Sequence, residues 1–301
     1  MQGSETVRDY LLARQRELRL GLVVQGGGMR GVYSMGALVA LEEAGLAAAF
    51  DIVIGSSSGA INAAYFLSGQ AAEAVDLYLH HINNRLFINM LRPWRIVDID
   101  FMVDEVMKRR RPLKMETLWA SPSLLEVIVV NAENGQPQVI TNRDDCYDFY
   151  EVMRATAALP GFYNKRVRLG GALYVDGGLV DALPTARAFN DGADAVLTIA
   201  TRMRGYRDQQ SGAPYRLAAR LLARGQAPAV RNRIGVPNLL LNRTMQLLES
   251  QDYTESRRGW CVWPSDPSKL VDLTTIDRCE LRQCADMGRE DMRRLLGREM
   301  R

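Results

Sequence analysis

Three serines stand between two glycines at residues 55–59, and the middle one, Ser57, has the spacing of a nucleophile. The β-branched run at residues 52–54 predicts a buried strand before the serines, and the apolar residues after them predict a buried helix. A sharp strand-to-helix turn exposes its central side chain and requires small neighbours, here Gly55 and Gly59. Ser57 is therefore a candidate nucleophile, and a Gly/Ser turn without chemistry is the alternative.

A serine hydroxyl is a weak nucleophile without a base, so a base has to be found elsewhere in the chain. The two histidines, His80 and His81, come one helix after the serine, where we expect exposed or packed helix residues. Asp176 is the best carboxylate, because it ends an apolar strand and precedes Gly177 and Gly178. Partial burial would raise the pKa of Asp176 and allow it to accept the serine proton. An Asp-Gly turn that caps its own backbone is the alternative.

A glycine-rich turn, Gly-Gly-Gly-Met-Arg-Gly at residues 26–31, lies between a predicted strand and a predicted helix. Backbone amides in such a turn can converge on a developing oxyanion, and Arg30 adds positive charge nearby. The amides in question are those of Gly26, Gly27 and Gly28. The same turn also matches the dinucleotide fingerprint, which requires an acid at the end of the second strand. The acid at the right distance, Asp51, precedes that strand, so a nicotinamide oxidoreductase is the weaker alternative.

The composition is ordinary for a soluble globular protein, with 301 residues, 47% of them hydrophobic and 24% charged. No apolar run is long enough to span a membrane, and the first ten residues lack the apolar core of a signal peptide. The cysteines lack the spacing of a metal site or a disulfide framework; they are Cys146, Cys261, Cys279 and Cys284. The sequence therefore predicts a cytoplasmic protein.

Arginine supplies most of the positive charge and is unevenly distributed, although the net charge is only +3. Residues 201–235 contain one acid, Asp208, and eight arginines, at positions 202, 204, 207, 216, 220, 224, 231 and 233. Residues 107–111 form a second basic cluster. A solvated face is one interpretation; the other is attraction to an anionic membrane surface, with Tyr215, Leu217, Leu221 and Leu222 as a possible apolar side. Nucleic acid is not expected as a partner, because no nucleic-acid-binding motif is present.

Predicted strands and helices alternate, which favours an α/β fold with a mostly parallel sheet and helices on both faces. The predicted strands cover residues 20–25, 52–54, 124–130, 138–141, 195–200 and 260–263. Strand 138–141 is expected to pair with 124–130 as a hairpin across the turn at 133–135, and a second hairpin is expected over 167–175. The predicted helices cover residues 1–20, 32–45, 60–67, 71–115 and 147–158, an arginine-rich helix after about residue 205, and a C-terminal helix from Asp277.

Three elements in order, residues 26–31, 55–59 and 176–178, resemble the motifs of the patatin-like phospholipase family. The stretch at residues 154–162 resembles the small-residue helix of that family, which ends in proline, and residues 191–197 resemble its next strand entry. The resemblance covers roughly residues 20–200, and the remainder is similar to an uncharacterised bacterial branch of the family.

The resemblance implies a three-layer α/β/α sandwich and a serine lipid acyl hydrolase of phospholipase A, lysophospholipase or carboxylesterase type. It implies a Ser57–Asp176 dyad without histidine, an acyl-serine intermediate, and Asp176 as the base that later activates water, with no metal or other cofactor needed. The implied oxyanion hole consists of Gly26, Gly27 and Gly28 with Arg30 close by, supported by the motif glycines Gly31, Gly55, Gly59, Gly177 and Gly178. The family often has alanine where this chain has Gly178, which is a mild departure.

The expected organisation is a lead-in helix at residues 1–19, a patatin-like domain at 20–200 and an arginine-rich C-terminal extension at 201–301 that completes the fold. Residues 77–115 are expected to form a lid, because large apolar residues alternate there with arginines. The expected partner is an acyl lipid, met at the inner membrane face. A non-catalytic module of hydrolase shape, which binds acyl lipid or a protein, is the principal alternative.

Overall fold

The computed structural model of the protein describes residues 5–14, 17–210, 212–213, 217, 221–250, 253 and 258–299. Within these residues, eight strands form one mixed sheet, with the order β5-β6-β3-β2-β1-β7-β8 and with β4 paired to β3. The strands are β1 Leu20–Val24, β2 Ile52–Ser56, β3 Leu124–Asn131, β4 Pro137–Thr141, β5 Val167–Leu169, β6 Ala172–Asp176, β7 Ala195–Ile199 and β8 Gly259–Val262. The α-helices are α1 Val7–Arg14, α2 Gly31–Glu43, α3 Ser58–Leu67, α4 Ala71–Asp76, α5 Met115–Ala120, α6 Phe149–Thr156, α7 Thr185–Asn190, α8 Pro228–Arg231, α9 Leu239–Glu249 and α10 Arg278–Leu296.

The centre of the sheet is parallel and its β4–β6 side is antiparallel. Strands β3, β2, β1, β7 and β8 pair in parallel, whereas β4 and β6 run antiparallel to β3, and β5 runs antiparallel to β6. The predicted hairpins at residues 124–141 and 167–175 are confirmed as β3–β4 and β5–β6. Parallel central strands must be covered on both faces, which explains their unbroken apolar sequences.

Alternate side chains of the central strands point into two separate apolar layers. Leu22 and Val24 of β1 pack in a large cluster with α2, α3 and α10, whereas Val23 packs in a second cluster with α7 and α9. This alternation follows from the two-residue repeat of a strand. The protein is therefore a three-layer α/β/α sandwich, as the sequence predicted.

The C-terminal helix α10 lies directly on α2. It begins after Asp277, whose carboxylate accepts the N–H of Glu280 at 2.9 Å as an N-cap. A Cβ atom at Gly36 would lie 1.9 Å from the carbonyl oxygen of Ala285, and one at Gly288 would lie 2.1 Å from that of Tyr33. Glycine at both positions allows the backbones of α2 and α10 to come into direct contact. The C-terminal segment thus contributes α10 to one helical layer, and it also contributes β8 to the sheet.

Two predicted helices are only partly present. The segment 71–115 is helical at both ends, where α4 continues as a π-helical turn over Leu77–His81 and a π-helical stretch covers Phe101–Arg110, but residues 82–98 are irregular. Pro93 and the turns around it interrupt the helical period that the composition suggested. Of the arginine-rich helix expected after about residue 205, residues 206–210 are irregular, residues 213, 217 and 221–222 are helical, and residues 211, 214–216 and 218–220 lie outside the described part of the chain. Arg207 is paired with Glu249 at 2.7 Å.

Several of the residues proposed for membrane contact lie outside the described part of the chain, namely Tyr215, Arg216 and Arg220. Among the described residues, no helix combines the length and the apolar character that crossing a bilayer requires.

Candidate active site

Ser57 and Asp176 meet because two strands approach each other along one edge of β3. Strand β2 runs parallel to β3 and its last residue, Ser56, is opposite Ile128. Strand β6 runs antiparallel to β3 and its last residue, Asp176, is opposite Val129. Since β4 occupies the other edge of β3 at both positions, β2 and β6 share an edge and their carboxyl ends face each other. The predicted strand end of Asp176 is present, but its strand is antiparallel.

Ser57 occupies a strained turn between β2 and α3. Its backbone has φ 55° and ψ −138°, outside the usual regions for a residue with a side chain. Both flanking positions require glycine, because neighbouring backbone atoms leave no room for a side chain. A Cβ at Gly55 would lie 2.6 Å from the Ala60 nitrogen, and one at Gly59 would lie 2.2 Å from the Val24 carbonyl oxygen. The turn holds the hydroxyl of Ser57 in the cavity described below.

Thr156, at the end of α6, fixes this turn by a relay of two hydrogen bonds. The backbone N–H of Ser57 donates to Thr156 Oγ1 at 2.9 Å, and Thr156 Oγ1 donates to the carbonyl oxygen of Ile128 at 2.7 Å. The sequence-based prediction missed Thr156. Its only signal was its place in the small-residue stretch at residues 154–162.

Asp176 is almost completely buried, with 2% of its surface exposed. Its carboxylate accepts the N–H of Gly178 at 2.7 Å. Burial raises the pKa of Asp176 to about 7, and the N–H of Gly178 and the neighbouring hydroxyl of Ser57 only partly offset that rise. Gly177 is required beside it, because a Cβ there would lie 2.2 Å from the Ile128 carbonyl oxygen. The structure thus brings together a serine hydroxyl and a carboxylate that titrates near neutral pH.

The glycine-rich turn adjoins the serine turn. A Cβ at Gly26 would lie 2.6 Å from the Ser56 carbonyl oxygen and 3.2 Å from Ser57 Cβ. Gly27 and Gly28 have φ values of 137° and 60°, and Gly28 begins a short 3-10 helix, Gly28–Arg30. The N–H of Gly27 donates to Ser58 Oγ at 3.0 Å, a contact that the sequence did not reveal. The backbone N–H of Gly27 is therefore already hydrogen-bonded to a protein atom, Ser58 Oγ.

Positive charge lies beside this turn. Arg30 packs against Gly27, and burial together with the nearby Arg202 lowers the pKa of Arg30 to about 10. Arg202 stacks over the ring of Tyr206 at 4.4 Å. Both arginines line the cavity that contains Ser57, so its glycine-rich end is electropositive.

The cavity has a volume of about 230 Å³ and is mainly apolar away from the glycines. Its apolar wall comes from two segments, residues 77–107 and 157–163. The side chains of this wall include Leu77, Ile82, Phe87, Ile88, Val97, Ile99, Met102, Val106, Met107, Leu159 and Phe162.

The two histidines do not reach this cavity. The Nε2 atoms of His80 and His81 each lie 3.4 Å from the Asp76 carboxylate, away from the cavity lining. Asp51, the acid that a dinucleotide site would need, accepts the N–H of Leu20 at 2.8 Å, at the opposite end of β1 from the glycine-rich turn. Within the described ranges, no group of three His, Cys, Asp or Glu side chains is placed to hold a metal ion.

A sequence model of the patatin-like phospholipase family matches residues 22–189, which is more than half of the chain. The chain belongs to the patatin-like phospholipase family. The Escherichia coli (strain K12) protein YjjU, itself uncharacterized, is 32% identical over 189 residues. That alignment covers 61% of this chain and 52% of YjjU, so the chain spans about half the length of this relative.

Two solved structures are similar to this chain over most of its length. VipD from Legionella pneumophila matches with a TM-score of 0.54 and 14% identity, over 93% of this chain and 67% of that protein. The human GIVD cytosolic phospholipase A2 matches with a TM-score of 0.47 and 11% identity, over 96% of this chain and 63% of that one. At these identities the likeness to VipD supports the patatin-like fold alone.

Proposed function

We propose that this patatin-like protein is a serine hydrolase of lipid acyl esters, of phospholipase A, lysophospholipase or carboxylesterase type. One observation carries the proposal: Ser57 adjoins Asp176, a buried carboxylate whose pKa is raised to about 7, in a cavity with an apolar wall. A base with a pKa near the working pH is the most effective general base, and burial supplies it here without histidine.

In the proposed mechanism, Asp176 accepts the hydroxyl proton as Ser57 Oγ attacks the ester carbonyl carbon. The negative charge that develops on the carbonyl oxygen is stabilised by backbone amides of the glycine-rich turn and by the field of Arg30. Protonated Asp176 then returns the proton to the leaving alkoxide, which leaves an acyl-serine. Water attacks this ester with Asp176 again as base; the bond between the acyl group and Ser57 Oγ breaks, protonated Asp176 returns the proton to Ser57 Oγ, and the fatty acid departs. Of the three glycines, Gly26 and Gly28 are the best oxyanion donors, because the N–H of Gly27 is held by Ser58.

The two ends of the cavity support an amphiphilic substrate. The apolar wall suits an acyl chain, since it is lined by residues such as Phe87, Ile99 and Met102. The opposite end, near Arg30 and Arg202, suits an anionic head group. We therefore place acyl esters with a phosphate head group ahead of neutral esters.

We further propose that residues 77–115 act as the cover of the cavity. Arg154 of α6 anchors this segment: its guanidinium contacts Asp100 at 2.6 Å and Asp104 at 2.7 Å. Residues 20–200 would form the catalytic domain after a lead-in helix at 1–19, with the C-terminal residues 201–301 completing it. We propose a cytoplasmic protein that meets its lipid at a membrane surface.

A non-catalytic module that binds acyl lipid would use the same cavity, and turnover separates the two functions. Purified protein should be incubated with defined phospholipids and lysophospholipids, and released fatty acids should be identified by mass spectrometry. Wild type should release fatty acid, and Ser57→Ala should lose at least about a thousandfold in rate. Ser68→Ala is a matched control. Ser68 follows the last residue of α3, its hydroxyl donates to the carbonyl oxygen of Ala64 at 2.6 Å, and it does not line the cavity. Equal turnover by Ser57→Ala and wild type would refute the proposal.

A further inference from the structure

The irregular segment at residues 84–97, here called the cap loop, has two chemically similar faces with different environments. Its inward side chains, Phe87, Ile88 and Val97, are buried and line the catalytic cavity. Its outward side chains are also large and apolar, but they face solvent: Leu86, Met90, Leu91 and Trp94 are 62%, 65%, 87% and 58% exposed. Four such side chains within nine residues make an exposed apolar patch, which on a soluble protein marks an interaction surface.

The polar backbone of the cap loop is already satisfied from within. Asn84 Oδ1 accepts the N–H groups of Leu86 and Phe87 at 2.9 and 3.2 Å, and Asn89 Oδ1 accepts that of Leu91 at 3.0 Å. Arg92 donates to the carbonyl oxygens of Leu86 and Phe87 at 3.0 and 3.2 Å. Transfer of this loop into a medium without water would therefore leave few backbone groups unpaired, which lowers the cost of entering a lipid layer.

Trp94 is held in an unfavourable backbone conformation while its ring faces water. Its φ is 65°, a region that bulky residues avoid, and its carbonyl oxygen accepts the N–H of Asn164 at 3.0 Å. Indole rings are enriched at membrane–water interfaces, where one end of the ring is apolar and the other is wet. The conformation of Trp94 is thus fixed by its neighbours in a position that suits an interface and not a core.

Positive charge surrounds the patch. Asn164 also donates to the carbonyl oxygen of Leu222 at 2.6 Å, which places the residues around 221–224 beside Trp94. Arg85 in the cap loop, Arg166 near Asn164 and Arg224 near Leu222 are exposed, and none forms an ion pair with another described residue. An apolar patch flanked by exposed arginines complements a bilayer that carries anionic head groups.

We propose that the cap loop is a membrane-docking surface for anionic phospholipid bilayers, in which Leu86, Met90, Leu91 and Trp94 enter the interfacial layer and the flanking arginines contact head groups. This inference rests on the proposed function, because the same loop forms the wall of the catalytic cavity and so connects the bilayer to it. The docking surface lies on the cap loop, with Leu221 and Arg224 at its margin, and residues 201–210 do not supply it.

The test is co-sedimentation of the protein with vesicles of phosphatidylcholine alone and of phosphatidylcholine mixed with phosphatidylglycerol. The double variant Leu91→Gln/Trp94→Asn removes the two apolar side chains, and asparagine tolerates the positive φ at position 94. Trp119→Gln is the matched control, because Trp119 is 50% exposed on the short helix before β3, at the opposite end of the sheet from Ser57. Wild type and Trp119→Gln should bind the mixed vesicles alike, and the double variant should bind about tenfold to a hundredfold less tightly.

Three outcomes would overturn the proposal: equal vesicle binding by the double variant and wild type, equal binding of wild type to neutral and anionic vesicles, or a wild-type dimer that the double variant converts to monomer. The double variant should unfold at the same temperature as wild type, which separates a loss of docking from a loss of folding. Ser57→Ala should bind vesicles like wild type. If wild type binds vesicles through the cap loop but hydrolyses no ester, the proposed function fails and the docking surface stands.

Discussion

Replacing Asp176 by asparagine should stabilise the folded protein at neutral pH while it abolishes ester hydrolysis. Asp176 is 2% exposed, and burial raises its pKa to about 7 from an ordinary value of 3.8. Ionising a carboxyl group with such a pKa costs the folded state about 4 kcal/mol relative to the unfolded chain. Asparagine has the same shape, its oxygen can accept the N–H of Gly178, and its amide can donate to Ser57, so the substitution removes the charge without creating a cavity.

The pH dependence gives the sign of this effect. The pKa of Asp176 is higher in the folded state than in the unfolded state, so this group makes wild type less stable as the pH rises from about 4 to about 7. The variant does not titrate in that range. The stability gained by Asp176→Asn should therefore be about 1 kcal/mol at pH 4.5 and about 4 kcal/mol at pH 8. For a chain of this length, the latter corresponds to a rise in Tm on the order of 8 °C.

The assay is thermal unfolding of wild type and Asp176→Asn at both pH values, followed by circular dichroism. Glu133→Gln is the control, because it removes an exposed carboxyl group from the turn between β3 and β4 and should leave Tm unchanged. If the difference in Tm between Asp176→Asn and wild type is the same at the two pH values, Asp176 is not a buried carboxyl group that titrates near pH 7. The assignment of Asp176 as the base would then lose its physical support.

Three further substitutions test the supporting structure. Thr156→Val removes the acceptor of the Ser57 N–H, so kcat should fall about tenfold to a hundredfold with KM little changed. Thr156→Ser keeps the hydroxyl and should restore kcat. A wild-type kcat in Thr156→Val would show that Thr156 does not position Ser57. Burial and the nearby Asp191 raise the pKa of Glu126 to about 7. Glu126→Gln should therefore raise the free energy of unfolding by about 1 kcal/mol at pH 8 and little at pH 4.5, without changing hydrolysis. A difference in urea unfolding that does not depend on pH would contradict this. Gly36→Ala should cost about 2 kcal/mol or more in urea unfolding, because its Cβ would meet the Ala285 carbonyl oxygen, whereas Gly225→Ala, with open space around it, should be neutral.

The fold was predictable from the sequence where local patterns fix the structure. Short β-branched runs gave the buried strands, and Asp277 gave the start of α10, because an N-cap and an apolar period are local properties. The segment 82–98 was not predictable in this way. Its apolar residues face two environments, the cavity and solvent, so their spacing has no single helical face, and side-chain caps from Asn84 and Asn89 replace helical hydrogen bonds.

The candidate site likewise has features that the local sequence predicts and features that it does not. Ser57 was identifiable because its turn requires glycines at fixed offsets, and Asp176 because it ends an apolar strand before two glycines. That these two residues meet follows from the opposite directions of β2 and β6 along one edge of β3, which the sequence does not encode locally. Thr156 and Ser58 escaped notice for a related reason: a hydroxyl that accepts a distant backbone N–H leaves no pattern in its own neighbourhood.

The most direct test of the account is the reaction of the protein with a fluorophosphonate, with the modified residue located by mass spectrometry. Wild type should carry one phosphonate on Ser57, and below about pH 7 its labelling rate should fall about tenfold per pH unit as Asp176 becomes protonated. Ser57→Ala should not label, and folded Asp176→Asn should label about a hundredfold more slowly or less. A phosphonate on another residue, or an Asp176→Asn rate equal to that of wild type, would contradict the claim that Asp176 activates Ser57.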